Sequence, residues 1–445
     1  MNYKSRGLHF RKQRTQTNPY RALLLVGLIL VSLFILQAVQ TDKIQSPFEP
    51  TPTPTRTSDS YAQEGSAHFN AGNLGAAISA YEQALEFDPD NAQIWSELAR
   101  IQTYSSAMLT TDAEKRTRLD EAIASINKAI EAQPDNSSAH AIKAFVLNWR
   151  SNPFLAGTET DMYLTEAEQE AQRAIVLDPQ NTLALAYLAE IYIDQQRLIQ
   201  AQSYIEQAIT RDPSLMDVQR IYGYVMETLG DYPEAIRYYQ EAVNINPSLT
   251  FLYIRIGVNY RQLKQYELAL EYFAKAANIN EQLGIKDPLP YIAIGKTYSQ
   301  TGEFFAATKN VQKAIQFDPT NPEVYATLGM VYFKSRNYES AIVALKCSVK
   351  GCTAAESCEA RQGDPCETYD AQYTVEGMPL SPSTVVNYYT YASALAGLHR
   401  KNNDYCEQAI DVLQQVRGGF SNEPSIIQIV EANEQICASF GYYSR

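Results

Sequence analysis

The sequence predicts an all-α solenoid of stacked helix pairs behind one N-terminal transmembrane helix, and three observations predict it. One phrase recurs: "GNLGAAISAYEQALEFDPDN", "GDYPEAIRYYQEAVNINPS", "KQYELALEYFAKAANIN" and "GEFFAATKNVQKAIQFDPTN" are variants of it. The prolines of the recurring turn, Pro89, Pro134, Pro179, Pro213, Pro247 and Pro319, stand 45, 45, 34, 34 and 72 residues apart. That is a period of 34 with insertions of eleven, eleven, none, none and four residues. Ahead of the repeats lies an uncharged apolar run, Ala22 to Val39.

Residues 1–21 carry six basic side chains and no acid, so the chain's formal charge of −13 becomes −19 beyond them. A body that acidic repels nucleic acid. The run "ALLLVGLILVSLFILQAV" (22–39) has 18 residues, about 27 Å of helix at about 1.5 Å per residue, enough for a hydrocarbon core. A buried globular helix rarely stays apolar on every face, and a cleaved signal peptide wants small residues before the cut, where Leu36/Ala38 and Ala38/Gln40 are poor pairs. An uncleaved anchor is expected, with a cleaved signal as the alternative. The basic flank stays in the cytoplasm and the rest lies outside, and no cysteine follows the run to attach a lipid. Residues 40–57, with Pro47, Pro50, Pro52 and Pro54, form an extended spacer reaching up to about 50 Å.

Within each repeat, apolar residues three and four apart mark two amphipathic helices, with Gly or Asp-Tyr at the turn between them. The eighth position reads Gly65, Ala99, Ala144, Ala189, Gly223, Gly257, Gly295 and Gly329; the twentieth is alanine throughout, from Ala77 to Ala341. In these residues the chain resembles the tetratricopeptide repeat family, whose pattern has small residues at positions 8, 20 and 27, aromatics at 11 and 24, and proline at 32. The resemblance covers about 58–350 and implies a right-handed superhelix with a concave surface. Its repeats lie near 58–91, 92–136, 137–181, 182–215, 216–249, 250–287, 288–321 and 322–350. Large residues at positions 4 and 11, such as Trp95, Tyr253, Tyr192 and Tyr260, fill the spaces between helices. The eleven-residue insertions, in "TYSSAMLTTDAEKRTR" and "RSNPFLAGTETDMY", fall between paired helices and either lengthen both or project as neighbouring loops.

Past residue 350 the frame fails. A cysteine-containing insert (351–383) precedes a degenerate ninth repeat and a capping helix (384–445). All six cysteines lie beyond residue 346, on the side assigned to the outside, which suits disulfides. An antiparallel hairpin would place Cys406 beside Cys437. Among the other four, short loops favour Cys347 with Cys352 and Cys358 with Cys366. The rival, a four-thiolate zinc site, lacks the usual CxxC spacing.

Function is expected to be binding, without catalysis, cofactor or metal. The four histidines have structural explanations, and HExxH, GxxxxGK[ST], GxSxG and GxGxxG do not occur. The resemblance implies that positions 2, 5, 9 and 12 face the groove, and these include Phe145, Asn148, Glu190, Arg220, Tyr224, Phe251, Arg261 and Lys296. Arg220, Arg261 and Lys296, on consecutive repeats, would hold a carboxylate or acidic peptide while Tyr224 and Phe251 pack its side chains. The bland alternative is charge that solvates an exposed face. The family's C-terminal carboxylate clamp is not matched, with Asp217 and Tyr224 at its polar positions. The expected protein is a membrane-anchored extracytoplasmic scaffold of a bacterial envelope, working in assembly or secretion. The alternatives are a receptor for a small molecule or glycan, or an accessory subunit of an enzyme.

Overall fold

The computed structural model describes residues 18–40, 56–109, 112–361, 373–400 and 404–442. It falls into two units, Met1–Arg56 and Thr57–Arg445. The first contributes helix α1 (Pro19–Gln40), which starts on a proline whose missing N–H costs nothing there. Its span Pro19–Ala38 has a mean hydropathy of 2.3 and is long and apolar enough to cross a membrane.

The second unit is a succession of antiparallel helix pairs. They are α2 (Ser58–Asn70) with α3 (Leu74–Phe87), and α4 (Ala92–Ser106) with α5 (Asp112–Ala132). Then α6 (Ser137–Arg150) and the short α7 (Pro153–Ala156) lead to α8 (Thr160–Leu177). There follow α9 (Thr182–Asp194) with α10 (Leu198–Arg211), and α11 (Met216–Thr228) with α12 (Tyr232–Ile245). Next come α13 (Thr250–Gln262) with α14 (Tyr266–Gln282), α15 (Leu289–Thr301) with α16 (Phe304–Phe317), and α17 (Pro322–Lys334) with α18 (Tyr338–Val349). Helices α19 (Ala354–Arg361), α20 (Val385–Leu398), α21 (Cys406–Gly419) and α22 (Pro424–Ala438) complete it.

The repeated phrase works through short-range chemistry. Proline ends the second helix of a pair, and the asparagine that follows caps the next: Asn91, Asn136, Asn181 and Asn321 each accept a hydrogen bond from a first-turn N–H. The fourth position closes the same turn. Trp95 Nε1, Gln219 Nε2, Tyr253 Oη and Tyr325 Oη each donate to the proline carbonyl six residues earlier, at 2.7–2.9 Å. Large polar-tipped residues stand there for that bond as well as for packing.

Helix crossings explain the small positions. Every alanine at position 20 is fully buried, and the position-8 glycines face a large side chain sixteen residues on. A Cβ on Gly257 would lie 2.5 Å from the Phe273 ring, and one on Gly329 2.5 Å from Leu345. Gly257→Leu is expected to lower stability by about 1–3 kcal/mol through overpacking, read in a urea melt. An unchanged melt would contradict the crossing.

The first insertion lengthens its second helix, 21 residues for α5 against 14 for α3. The second becomes α7, a 3₁₀ turn (Gly157–Glu159) and a long α8. The two segments pack together, with Arg116 Nε and Arg150 Nη1 both donating to the Leu155 carbonyl at 3.0 and 2.9 Å.

The array holds two hydrophobic cores, one from Phe69 to Ile256 and one from Ala269 to Cys437, with Tyr260 packed against both. Around the first, the superhelix winds tightly enough to touch itself. Asn246 Nδ2 donates to Asn70 Oδ1 at 2.9 Å across 176 residues. Gly72, at φ +79°, lies so near Ser248 that a Cβ would meet its carbonyl oxygen at 2.2 Å; both the conformation and the approach demand glycine.

At the C-terminal end Cys347 is bridged to Cys352, and Cys406 to Cys437. Cys358 is also disulfide-bonded; the expectation for Cys366 lies outside the described residues. These bridges leave no four-thiolate set for zinc. Two details went unpredicted. The insert contains α19, eight residues and too short for a periodic signal, and Cys352 pairs with Val375 in an isolated antiparallel bridge.

Candidate interaction groove

Inside the first core, groove-facing positions of successive first helices meet. Arg220 forms a two-toothed pair with Glu190, Nη1 to Oε1 at 2.9 Å and Nη2 to Oε2 at 2.7 Å. Trp149 Nε1 donates to the same Glu190 Oε1 at 3.0 Å. The Arg220 guanidinium also faces the rings of Tyr104, Phe145 and Trp149 at 5.4–5.6 Å. Asp217 accepts from the hydroxyls of Tyr104 and Tyr187 and from Arg100 Nη1 at 3.1 Å. Phe251 stacks on Tyr104 with ring centres 5.3 Å apart, and Phe145 on Tyr187 at 4.6 Å. Asp194 accepts from Tyr224 Oη at 2.7 Å and Asn148 Nδ2 at 2.8 Å.

Charge in this cluster is internally balanced. Burial pushes the Asp217 carboxyl up, but Arg100, the Tyr104 hydroxyl, Arg220 and the Tyr187 hydroxyl outweigh it and hold the pKa below its ordinary value. Asp194 goes the other way: burial drives it up to about 6, against the hydrogen bonds from Tyr224 and Asn148. A carboxyl raised in the fold favours the protonated state there, so its contribution is present below the unfolded pKa and lost as pH rises through about 6. Asp287, similarly raised by burial to about 6, adds in the same direction. Between pH 4.5 and about 7, Asp194→Asn is therefore expected to flatten the decline in melting temperature relative to the unsubstituted protein. Parallel curves would contradict this.

These contacts revise the sequence reading. Phe145, Glu190, Arg220 and Phe251, expected to face a partner, are buried: Arg220 is bonded to Glu190, Phe145 stacks on Tyr187 and Phe251 on Tyr104, because the tight winding brings both ends of the first core together. Asn148 is likewise buried, and Tyr224 is half-buried against Asp194. Sequence reasoning passed over Tyr104, Trp149, Tyr187 and Asp194. A usable signal existed: Tyr187/Asp217, Glu190/Arg220 and Asp194/Tyr224 are each 30 residues apart, one repeat less about one helical turn.

The second core differs. Among the described residues Arg261 has its Nη1 buried without a hydrogen-bond partner, and its guanidinium faces the Phe273 ring, at 5.8 Å. Burial alone lowers its pKa. Lys296 is exposed, 3.9 Å from Glu323. Arg220, Arg261 and Lys296 thus share no partner. Met330 and Phe333 are half-buried on the next repeat. Among the described residues, no group of three or more His, Cys, Asp and Glu is placed to hold a metal ion.

Stacked helix pairs with small residues at every crossing define a helical-repeat interaction scaffold. Tetratricopeptide repeat models match residues 65–102, 188–250, 252–283 and 311–343, so the chain carries tetratricopeptide repeats. No curated protein matches it. Among solved structures it is similar to the human IFIT1 dimer with PPP-AAAA, at 15% identity over 85% of this chain and 83% of that one, TM-score 0.51. Yeast Tom70 matches at 11% identity over 87% and 90%, TM-score 0.47. A thermophilic repeat protein of Thermus thermophilus matches at 16% identity over 46% and 98%, TM-score 0.38.

Proposed function

We propose that this protein is a membrane-anchored scaffold that holds an acidic, extended segment of another protein in the groove of repeats six to eight. One observation carries the reading. In the first core, cations on the groove side have internal carboxylates, Arg220 on Glu190 and Arg100 on Asp217, whereas Arg261 has none among the described residues. A partly desolvated guanidinium without an acid is an unspent anion site, and a partner carboxylate would complete it. Lys296 extends the same charge one repeat on, and Met330 and Phe333 offer apolar contact beside it. The basic N-terminal flank, α1 and the proline-rich spacer suit display outside a bacterial cytoplasmic membrane, where the disulfides are stable. Envelope assembly or secretion fits that placement.

The test is co-isolation of the intact protein from detergent at low salt, with mass spectrometry of what stays bound. Arg261→Ala with Lys296→Ala is expected to reduce partner recovery about tenfold or more, while Phe305→Ser, at a side chain 87% exposed on α16, leaves it unchanged. Equal recovery with the double substitution would dispose of the reading. Isolation without any partner, together with a melting temperature raised by a small molecule, would favour the receptor alternative.

A further inference from the structure

The groove reading leaves the eleven-residue insertion of the second repeat without a role. By the repeat register the second helix of that pair should begin at Leu119, but α5 begins at Asp112, so the insertion adds about two turns. Arg118 stands on those added turns. Its side chain, with Glu121, helps to wall a cleft of 540 Å³ between α3, α4 and α5 that is largely open to solvent.

The cleft has a built polar floor. Gln102 is 5% exposed. Its Oε1 accepts from Ser125 Oγ at 2.8 Å, while its amide nitrogen meets no acceptor among the described residues and the side chain lines the cleft. That nitrogen is open to the cleft rather than sealed off, so a ligand that supplies an acceptor can take its N–H. Arg118 gives Nη1 to Ser105 Oγ at 3.0 Å and pairs Nε with Glu121 at 2.9 Å; that pair is partly exposed, unlike the buried Arg220 and Glu190, and Nη2 remains to donate to a ligand oxygen. Glu82 on the α3 side offers the opposite charge. Gly75 leaves the mouth open, since a Cβ there would meet nothing closer than 3.9 Å.

We infer that this cleft, outside the groove, is a binding site for a small zwitterion of dipeptide size. Its carboxylate lies on Arg118, its amide oxygen on Gln102 and its ammonium on Glu82. The lining contains no aromatic ring, so a sugar has no platform to stack on.

The experiment is saturation-transfer NMR on the full chain in detergent, with dialanine as probe and N-acetyl-dialanine amide, which lacks both end charges, as comparison. Dialanine is expected to give signals at least about fivefold stronger than the blocked compound. Gly75→Phe, which fills the cleft from an open helix position without disturbing a core contact, should abolish them, and Arg118→Ala should weaken them severalfold. A unaltered melt of Gly75→Phe confirms that its fold is kept. Absence of signal with the unsubstituted protein, or equal signal with Gly75→Phe, overturns the site. Equal signal from the blocked compound overturns the charge assignment. None of these outcomes depends on a partner in the groove.

Discussion

Arg220→Ala is expected to destabilise the first core by about 3–5 kcal/mol, because it strands Glu190 as a buried carboxylate without its counter-charge. Glu190 is 3% exposed and Arg220 6%, so water does not replace the lost bonds. The same change removes the cation lying among Tyr104, Phe145 and Trp149. The effect belongs to the stranded charge more than to the pair. Arg220→Met combined with Glu190→Gln, which keeps an acceptor for Trp149 Nε1, should recover most of the loss. A long repeat array need not unfold in one step, so the quantity to read is the first transition of a urea melt followed by circular dichroism. Equal losses for the single and double substitutions would show that stranded charge is not the cause.

Replacing Cys406 and Cys437 together by serine is expected to cost about 3–4 kcal/mol, the chain-entropy value for a bridge across 31 residues. Local packing says where the loss appears. Of the fifteen residues of α22 only Val430, Asn433 and Cys437 are buried. Beyond the bridge, α22 is held chiefly by Asn433 on Ser393 and Glu434 on Arg417. Without the bridge α22 should open first, giving fast amide exchange there while α20 stays protected. Slow exchange throughout α22 in the double variant would mean that packing alone holds the cap.

Much of this architecture was legible because each repeat repeats its own physics. Proline, asparagine cap, small crossing residue and large filler recur at fixed spacing, so one reading of Gly257 or Ala235 serves for every pair. The insertions were less legible. Eleven residues suited either longer helices or loops, and only the bonds of Arg116 and Arg150 to Leu155 show both segments drawn into one packed contact. Groove residues were the least legible, since position within a repeat says which way Arg220 faces but not how tightly the superhelix winds. Asn70 and Asn246 are 176 residues apart, and no local pattern joins them. Closure turns Phe145, Glu190, Arg220 and Phe251 from lining into filling, while beyond the closed turn Arg261 has no carboxylate among the described residues and Lys296 stays exposed beside Glu323.

That division is tested most directly by site-specific photocrosslinking in the intact protein. A photoreactive side chain would replace Met330, at the ninth position of its repeat, or Ile199, which is 87% exposed on α10. The predicted result is a discrete crosslinked partner from position 330, lost with Arg261→Ala and Lys296→Ala, and none from position 199. A partner caught from position 199 but not from 330, or caught from 330 regardless of those substitutions, would contradict capture in the groove of repeats six to eight.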